Sequence, residues 1–277
     1  MIAIAVLNLY SILETWWLIP FCLILLTGIL CPAMGTVLIT HKRLLQVNLI
    51  SHCVLPGLAL AVALGVSPSI GGVFSGLFGS LAAEALTNKK NENYEAIMNT
   101  ILAGSLGLGV LLIPLLGIRI DLESVLFGDL LTANLGDLTR TIISFLVFIS
   151  LILFGYEKLV HIGLDPEGAS DSGIKVSYLN LLLGLTTALV IVSSMSAIGV
   201  ILVIALLSTP ALLGLQQAPS LCVAMVRSAM FGSLISILGF LLAIAFNMSP
   251  GPLVAVLCIL LIGLLPGKRN NRSILCN

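Results

Sequence analysis

What most constrains this chain is the length of its uncharged apolar runs. A helix that crosses a bilayer needs about 20 apolar residues at 1.5 Å each, somewhat fewer where it is short or broken. Nine stretches meet that test: Thr15–Thr40, Val47–Gly65, Ser69–Leu86, Ala96–Gly117, Thr141–Val160, Tyr178–Ser196, Ala197–Leu215, Val223–Phe246 and Pro250–Leu265. The sixth and seventh abut, and the seventh is short and contains Pro210, so the two also read as one broken element, which gives eight. The predicted class is an all-α integral membrane protein: a polytopic bundle of 8–9 transmembrane helices in one transmembrane domain over residues 1–277, with an N-terminal segment at 1–14 and a tail at 267–277.

Composition excludes the alternatives. Hydrophobic residues make up 59% of the 277 and charged residues 9%, with a mean hydropathy of +1.20. A soluble domain carries about 25% charged residues, and no single core of this size could hide so much apolar surface. Lipid can. A net charge of zero excludes a nucleic-acid binder that works through a basic surface. Met1 to Tyr10 is apolar without a basic leader or a small-residue cleavage site, so no cleavable signal is expected. The six cysteines (Cys22, Cys31, Cys53, Cys222, Cys258, Cys276) are scattered singly and read as small apolar packing residues.

Lys and Arg stay on the cytoplasmic side of a membrane protein. With the Lys42–Arg43 loop inside and nine alternating spans, Lys42, Arg43, Lys89, Lys90, Lys158, Lys175, Arg227, Lys268, Arg269 and Arg272 lie inside, and Arg119 and Arg140 outside. Ten against two predicts the N-terminus out and the C-terminus in. Eight spans keep most of this only if one segment is re-entrant.

Two connections are too polar to span. The outer one, Ile118–Arg140, holds Asp121, Glu123, Asp129 and Asp137 around the apolar piece Val125–Ala133. It reads as a solvated loop with a short interfacial helix, or as a docking or cation-collecting surface. The inner one, His161–Lys175, contains Asp165-Pro166-Glu167: an N-cap, proline at the first helical position and an acid in the first turn. A short helix there is what a soluble partner could grip.

An ionisable group inside a span is expensive unless paired or wetted, so it marks function by default. His52 is the clearest. It lies nine residues past Arg43, about 13 Å along a helix axis and near mid-bilayer. Asn48 is one turn earlier on the same face. Pro56 one turn later frees the His52 carbonyl from its usual intrahelical bond. Imidazole, amide oxygen and freed carbonyl together make a way-station for a divalent cation, imidazole suiting Zn²⁺ and oxygen suiting Mn²⁺. The competing reading is a histidine bonded to a neighbouring helix. Glu84 and Glu95 read as interfacial charges paired with Lys89 or Lys90. Ser193, Ser194, Ser196 and Gly199, with Ser208-Thr209-Pro210, fit close helix packing and a broken helix. The glycines Gly71, Gly72, Gly76, Gly79, Gly104, Gly107 and Gly109 read as helix contacts. There is no nucleotide-binding loop, Ser/His/Asp arrangement or HExxH, so no catalysis is expected of this chain.

Ser51-His52-Cys53-Val54-Leu55-Pro56-Gly57-Leu58-Ala59-Leu60 resembles the SHAVLPGxAL signature of the ABC-3 class of manganese/zinc/iron permeases. The likeness continues in order through Leu106–Leu112, Phe127–Leu131, Asp165–Ala169 with Gly173, Ile198–Leu207 with Pro210-Ala211, and Ser249–Pro252. The resemblance implies a homodimeric permease of a bacterial plasma membrane that moves Mn²⁺ or Zn²⁺, or Fe²⁺. Its ATP would be used by a separate ATPase subunit, its cargo delivered by an extracytoplasmic metal-binding protein, and no cofactor would be bound permanently. It implies that His52, with Asn48, lines the metal path, and that Asp165, Pro166, Glu167, Gly168 and Ala169 form the coupling helix that docks on the ATPase. One departure stands out. The family usually has Asp where this chain has Asn48, and Gly is common where it has Val47. Rival readings are a chelate permease of the siderophore or cobalamin kind, which usually has about ten spans, and a self-contained secondary transporter or channel, which would need paired acids at mid-depth.

Overall fold

Backbone N–H and C=O groups in hydrocarbon have no water to bond, so each must be satisfied within the protein. The computed structural model meets this with helices. It describes residues 18–87, 94–118, 128, 130, 133–216, 218–246 and 248–264. Its helices are α1 (Leu18–Thr40), α2 (Leu44–Ala63), α3 (Pro68–Thr87), α4 (Tyr94–Leu115), α5 (Leu135–Leu164), α6 (Pro166–Asp171), α7 (Val176–Ile198), α8 (Val200–Leu215), α9 (Leu221–Phe246) and α10 (Pro250–Leu264). Among the described residues seven helices, α1–α5, α7 and α9, are long and apolar enough to cross a membrane, and α8 and α10 are shorter apolar helices. Each of the nine apolar stretches therefore holds a helix. The chain is a polytopic helical membrane protein.

The abutting sixth and seventh stretches are two helices, parted at Gly199, whose φ of 80° and ψ of 159° end α7 and start α8. Gly128 of the outer connection rests on this break. Its own φ is 70°, and a Cβ there would come 2.9 Å from the Ile198 carbonyl oxygen. Glycine is required at both positions.

α5 corrects the expected bounds. The sequence predicts a span over Thr141–Val160, but the helix runs over 30 residues from Leu135 to Leu164. Its first turn looks like loop because it is polar, yet that polarity is a capping box. The Asn134 side chain accepts from the Asp137 N–H, and the Asp137 side chain accepts from the Asn134 N–H, both at 3.1 Å. At 1.5 Å per residue α5 is about 45 Å long, against a hydrocarbon core of about 30 Å, so it extends well beyond the core.

α1 and α7 are the most enclosed spans. Leu23, Ile24, Leu30, Met34 and Leu38 of α1 pack with Leu183 and Ile191 of α7 and with Leu202, Val203 and Leu206 of α8 in one core. Lipid is as apolar as leucine, so helices associate through close backbone approach at small residues and not through a hydrophobic drive. Gly28 and Gly232 bring α1 against α9, Gly35 brings α1 against the Leu207 carbonyl of α8, and Gly57 meets Gly71 where α2 crosses α3. Gly72 and Gly76 of α3 face Val192 of α7, and Gly79 faces Cys53 of α2. Gly109 of α4 packs on Leu55 and Pro56, whereas Gly104 and Gly107 meet nothing within 4 Å. The hydroxyls of Thr27, Thr187 and Ser208 bond carbonyls of their own helices at 2.7–2.8 Å, so these polar groups cost the interior little.

Gly71→Val places side-chain atoms where the Gly57 backbone runs, and overpacking of this kind costs about 1–3 kcal/mol. The expected outcome is a clear drop in the thermal unfolding temperature of the detergent-solubilised protein. Gly104→Ala, which enters open space, leaves it unchanged.

Candidate functional site

α2 is built as a two-sided helix. Val47, Ile50, Cys53, Val54 and Gly57 are buried toward α3 and α7. Asn48, His52 and Leu55, at i, i+4 and i+7, form a half-buried stripe on another side. Among the described residues no hydrogen bond or ion pair engages Asn48 or His52, so the histidine is not one bonded to a neighbouring helix. Pro56 lies within α2 and has no N–H to give the His52 carbonyl. The stripe thus presents an amide, an imidazole and a carbonyl without an intrahelical donor.

Their neighbours in sequence point elsewhere. Ser51 donates to the Val47 carbonyl at 2.9 Å. Cys53 is 4% exposed and turned onto Gly79 of α3, and its carbonyl accepts from the Ser75 hydroxyl. Among the described residues no group of three or more His, Cys, Asp or Glu is placed to hold a metal. Within one chain a cation at Asn48 and His52 meets two neutral side chains, an incomplete shell for an ion such as Mn²⁺ that favours octahedral oxygen coordination. Water or a second chain must supply the rest.

The lower end of α2 is fixed by charge. Arg43 Nη1 lies 2.7 Å from Glu84 Oε2 at the end of α3, with both side chains largely enclosed. Arg43 reaches Glu84 because the α1–α2 elbow brings the guanidinium to it, and Lys89 and Lys90, the partners the sequence suggests, lie outside the described residues. Glu95 is exposed at the start of α4. One turn into α2, the fully buried Gln46 donates to the Ser80 hydroxyl at 3.2 Å, and a Cβ at Gly184 of α7 would come 2.7 Å from its amide nitrogen. Three helices are thus clasped just below Asn48.

At the opposite end Asp137 is not a free cation collector. It belongs to the α5 capping box, pairs with Arg140, and accepts from the Ser196 hydroxyl of α7 at 3.2 Å. The carboxylate locks the start of α5 to the end of α7. Asp121, Glu123 and Asp129 lie outside the described residues. Ser193, Ser194, Ser196 and Ser208 serve packing: Ser193 and Ser208 bond their own helices, and Ser194 receives the Cys31 thiol at 3.7 Å.

At the inner connection Asp165 caps α6, its Oδ1 accepting from the Gly168 N–H at 3.0 Å, with Pro166 at the first position and Glu167 in the first turn. A Cβ at Gly168 would run into the Asp165 carboxylate. Ala169 is buried against Ile162 and Leu179, so α6 rests on α5 and α7 while Asp165, Pro166 and Glu167 stay exposed.

His41, which sequence reasoning passed over, sits at the α1–α2 elbow against Gly163 of α5. Its only sequence signal was its place between a span and the Lys42-Arg43 pair. Its Nε2 is buried without a partner among the described residues. Burial first, then the Arg43 charge, push the imidazole down to about 4, against a bond to the Leu159 carbonyl.

The geometry defines a class: a polytopic helical membrane protein with a polar stripe inside one span and a capped helix standing at one face. The chain belongs to the ABC 3 transport family, which it matches over residues 18–265. It is 30% identical over 81% of its length to the manganese transport system membrane protein MntC of Listeria monocytogenes, of which 80% is covered. It is 31% identical to the manganese import system permease protein ScaB of Streptococcus parasanguinis over 90% of each chain. A structure of PsaBC from Streptococcus pneumoniae in complex with Fab superposes with a TM-score of 0.80 at 27% identity, over 98% of each chain.

The His41 shift fixes a pH dependence. The unfolded imidazole charges near pH 6.5 and the folded one only near 4, so the unfolded state binds the extra proton between these values. Stability is full above about pH 6.5 and falls as the pH drops toward 4, by on the order of 2–3 kcal/mol. Unfolding temperatures at pH 7.5 and 5 should therefore differ less in His41→Gln than in the wild type.

Proposed function

We propose that the chain is the membrane-spanning permease subunit of an ATP-binding-cassette importer for divalent metal ions, with Mn²⁺ its first cargo and Zn²⁺ the alternative. The observation that carries this is the half-buried Asn48–His52 stripe in the middle of an apolar helix. A polar face at that depth is costly against lipid, and it is stable where water or a passing ion meets it. The relatives named for manganese and the oxygen of Asn48 both favour Mn²⁺. A carboxylate in place of Asn48 would compensate more of the ion's charge, so this chain holds its cargo more loosely than a family member with Asp there.

Two copies complete the path. A shell of two neutral ligands in one chain supports a homodimer in which the second stripe faces the same ion. The single permease domain spans residues 1–277 with its N-terminus outside and C-terminus inside, the side on which ten of the twelve Lys and Arg fall. On that orientation α6 is the cytoplasmic coupling helix, offering Asp165, Pro166 and Glu167 to an ATPase subunit with Gly168 and Ala169 seating it on α5 and α7. ATP is used in that partner, and an extracytoplasmic metal-binding protein delivers the ion. A secondary transporter would need acids at mid-depth. Among the described spans, Glu84 lies at a helix end and is held by Arg43.

Cells expressing the chain with its ATPase and delivery protein, assayed for Mn, Zn and Fe together, test the reading. His52→Ala should lower accumulation of the cargo metal at least tenfold at equal protein level. Asn48→Asp should lower the metal concentration for half-maximal uptake by on the order of tenfold, equivalent to about 1.4 kcal/mol. Persistent uptake in His52→Ala would move the path away from α2, and uptake of a chelate but no free ion would identify a chelate permease. Separately, Glu167→Lys should lose the co-purifying ATPase subunit while the permease itself stays folded.

A further inference from the structure

Between α5 and α7, on the side of the bundle that carries α6, lies a groove of about 630 Å³ that the transport reading does not use. Its wall is apolar, built by Leu151 and Phe154 of α5 and Leu182 of α7. Its rim carries two cations, Lys158 and Lys175, with Tyr178 beside them. No carboxylate lines it, and among the described residues neither lysine forms an ion pair.

The dimensions match one leaflet. From Lys158 to Val147 along α5, and from Lys175 to Thr186 along α7, the lining spans twelve residues on each side, about 16 Å of helix. Half of a 30 Å hydrocarbon core is about 15 Å. The groove therefore begins at the level of the headgroups, where tyrosine and lysine commonly sit, and ends near the bilayer centre. Among the described residues, the groove lined by Phe74 and Phe78 and the one lined by Tyr156 and Leu221 carry no lysine or arginine. α9 presents Met230, Leu234, Leu238 and Leu241, which any acyl chain can cover.

We propose that this groove binds one anionic glycerophospholipid from the leaflet on the α6 side. Its phosphate is held between Lys158 and Lys175, and an acyl chain lies along Leu151, Phe154 and Leu182. A zwitterionic lipid fills the apolar wall equally well but brings its own cation to the two ammonium groups. Basic pockets between spans hold anionic headgroups by this chemistry.

The test uses the assembled transporter in nanodiscs of phosphatidylglycerol and phosphatidylcholine, with retained lipid counted by native mass spectrometry. At roughly fivefold per lysine at a membrane surface, the wild type should prefer phosphatidylglycerol by about thirtyfold. Lys158→Gln/Lys175→Gln should reduce this to about twofold or less, and Lys158→Arg/Lys175→Arg should keep it. Ser150→Trp fills the groove but leaves both lysines, and it should also lose the lipid. The proposal is overturned by equal retention of the two lipids in the wild type, or by full preference in the Gln pair. It is equally overturned if Ser150→Trp keeps the preference, since the lysines would then act as surface charge without a groove. Retention by the chain alone that vanishes when the ATPase is bound would give the groove to that protein partner, and would overturn it too.

Discussion

Every polar group in the spans has to find its partner inside the protein, and most of this structure follows from how that debt is met. Threonine and serine hydroxyls close on carbonyls of their own helices. Gln46 reaches Ser80, Arg43 reaches Glu84, and Asp137 gathers Arg140 and Ser196. These bonds also fix the bundle, because packing between helices in lipid has no hydrophobic drive to rely on. Asn48 and His52 are half-buried on one stripe of a span and form no hydrogen bond with a described residue. On the permease reading proposed above, that is the face an ion would meet.

The fixed groups surround the free ones. α2 is tied to α3 below Asn48 by the Arg43–Glu84 pair and clasped to α3 and α7 by Gln46, Ser80 and Gly184. Above it, the crossing at Gly57 and Gly71 leaves no room between α2 and α3. The helix that carries the Asn48–His52 stripe is thus held from behind at three levels. On the proposed reading, side chains carried on such a helix would keep their orientation without bonds of their own that compete with an ion.

Much of this was legible in the sequence, for identifiable reasons. Run length and charge alone located nine apolar helices, since a 20-residue apolar run has few other uses. The Asn48–His52 spacing placed two polar groups on one stripe, and a helical step of 100° per residue turns Ser51 and Cys53 elsewhere. The ends of α5 were not legible, because a capping box and a solvated loop use the same residues. Asp137 looked like one of four carboxylates, and only the return of α7 to bring Ser196 beside it makes it a clamp. The Arg43–Glu84 pair was not legible for the same reason: which cation reaches a carboxylate depends on how two helices meet. His41 gave no signal beyond its neighbours, and its burial depends on α5 lying across the elbow.

The helices divide mechanically along the same line. α1, α2 and α8 contain Pro32, Pro56 and Pro210 in their interiors, and each proline removes one backbone bond and bends more readily there. α5 and α7 contain none and run 30 and 23 residues. They carry α6 between them at one end and share the Asp137–Ser196 clamp at the other. If α6 is the coupling helix proposed above, a push on it would meet two helices without an internal proline. His41, packed on Gly163 in the last turn of α5, is a point where that helix touches the α1–α2 elbow. Arg43 leads from there into α2, so on the proposed reading a displacement of α5 would reach the base of the helix that bears Asn48 and His52.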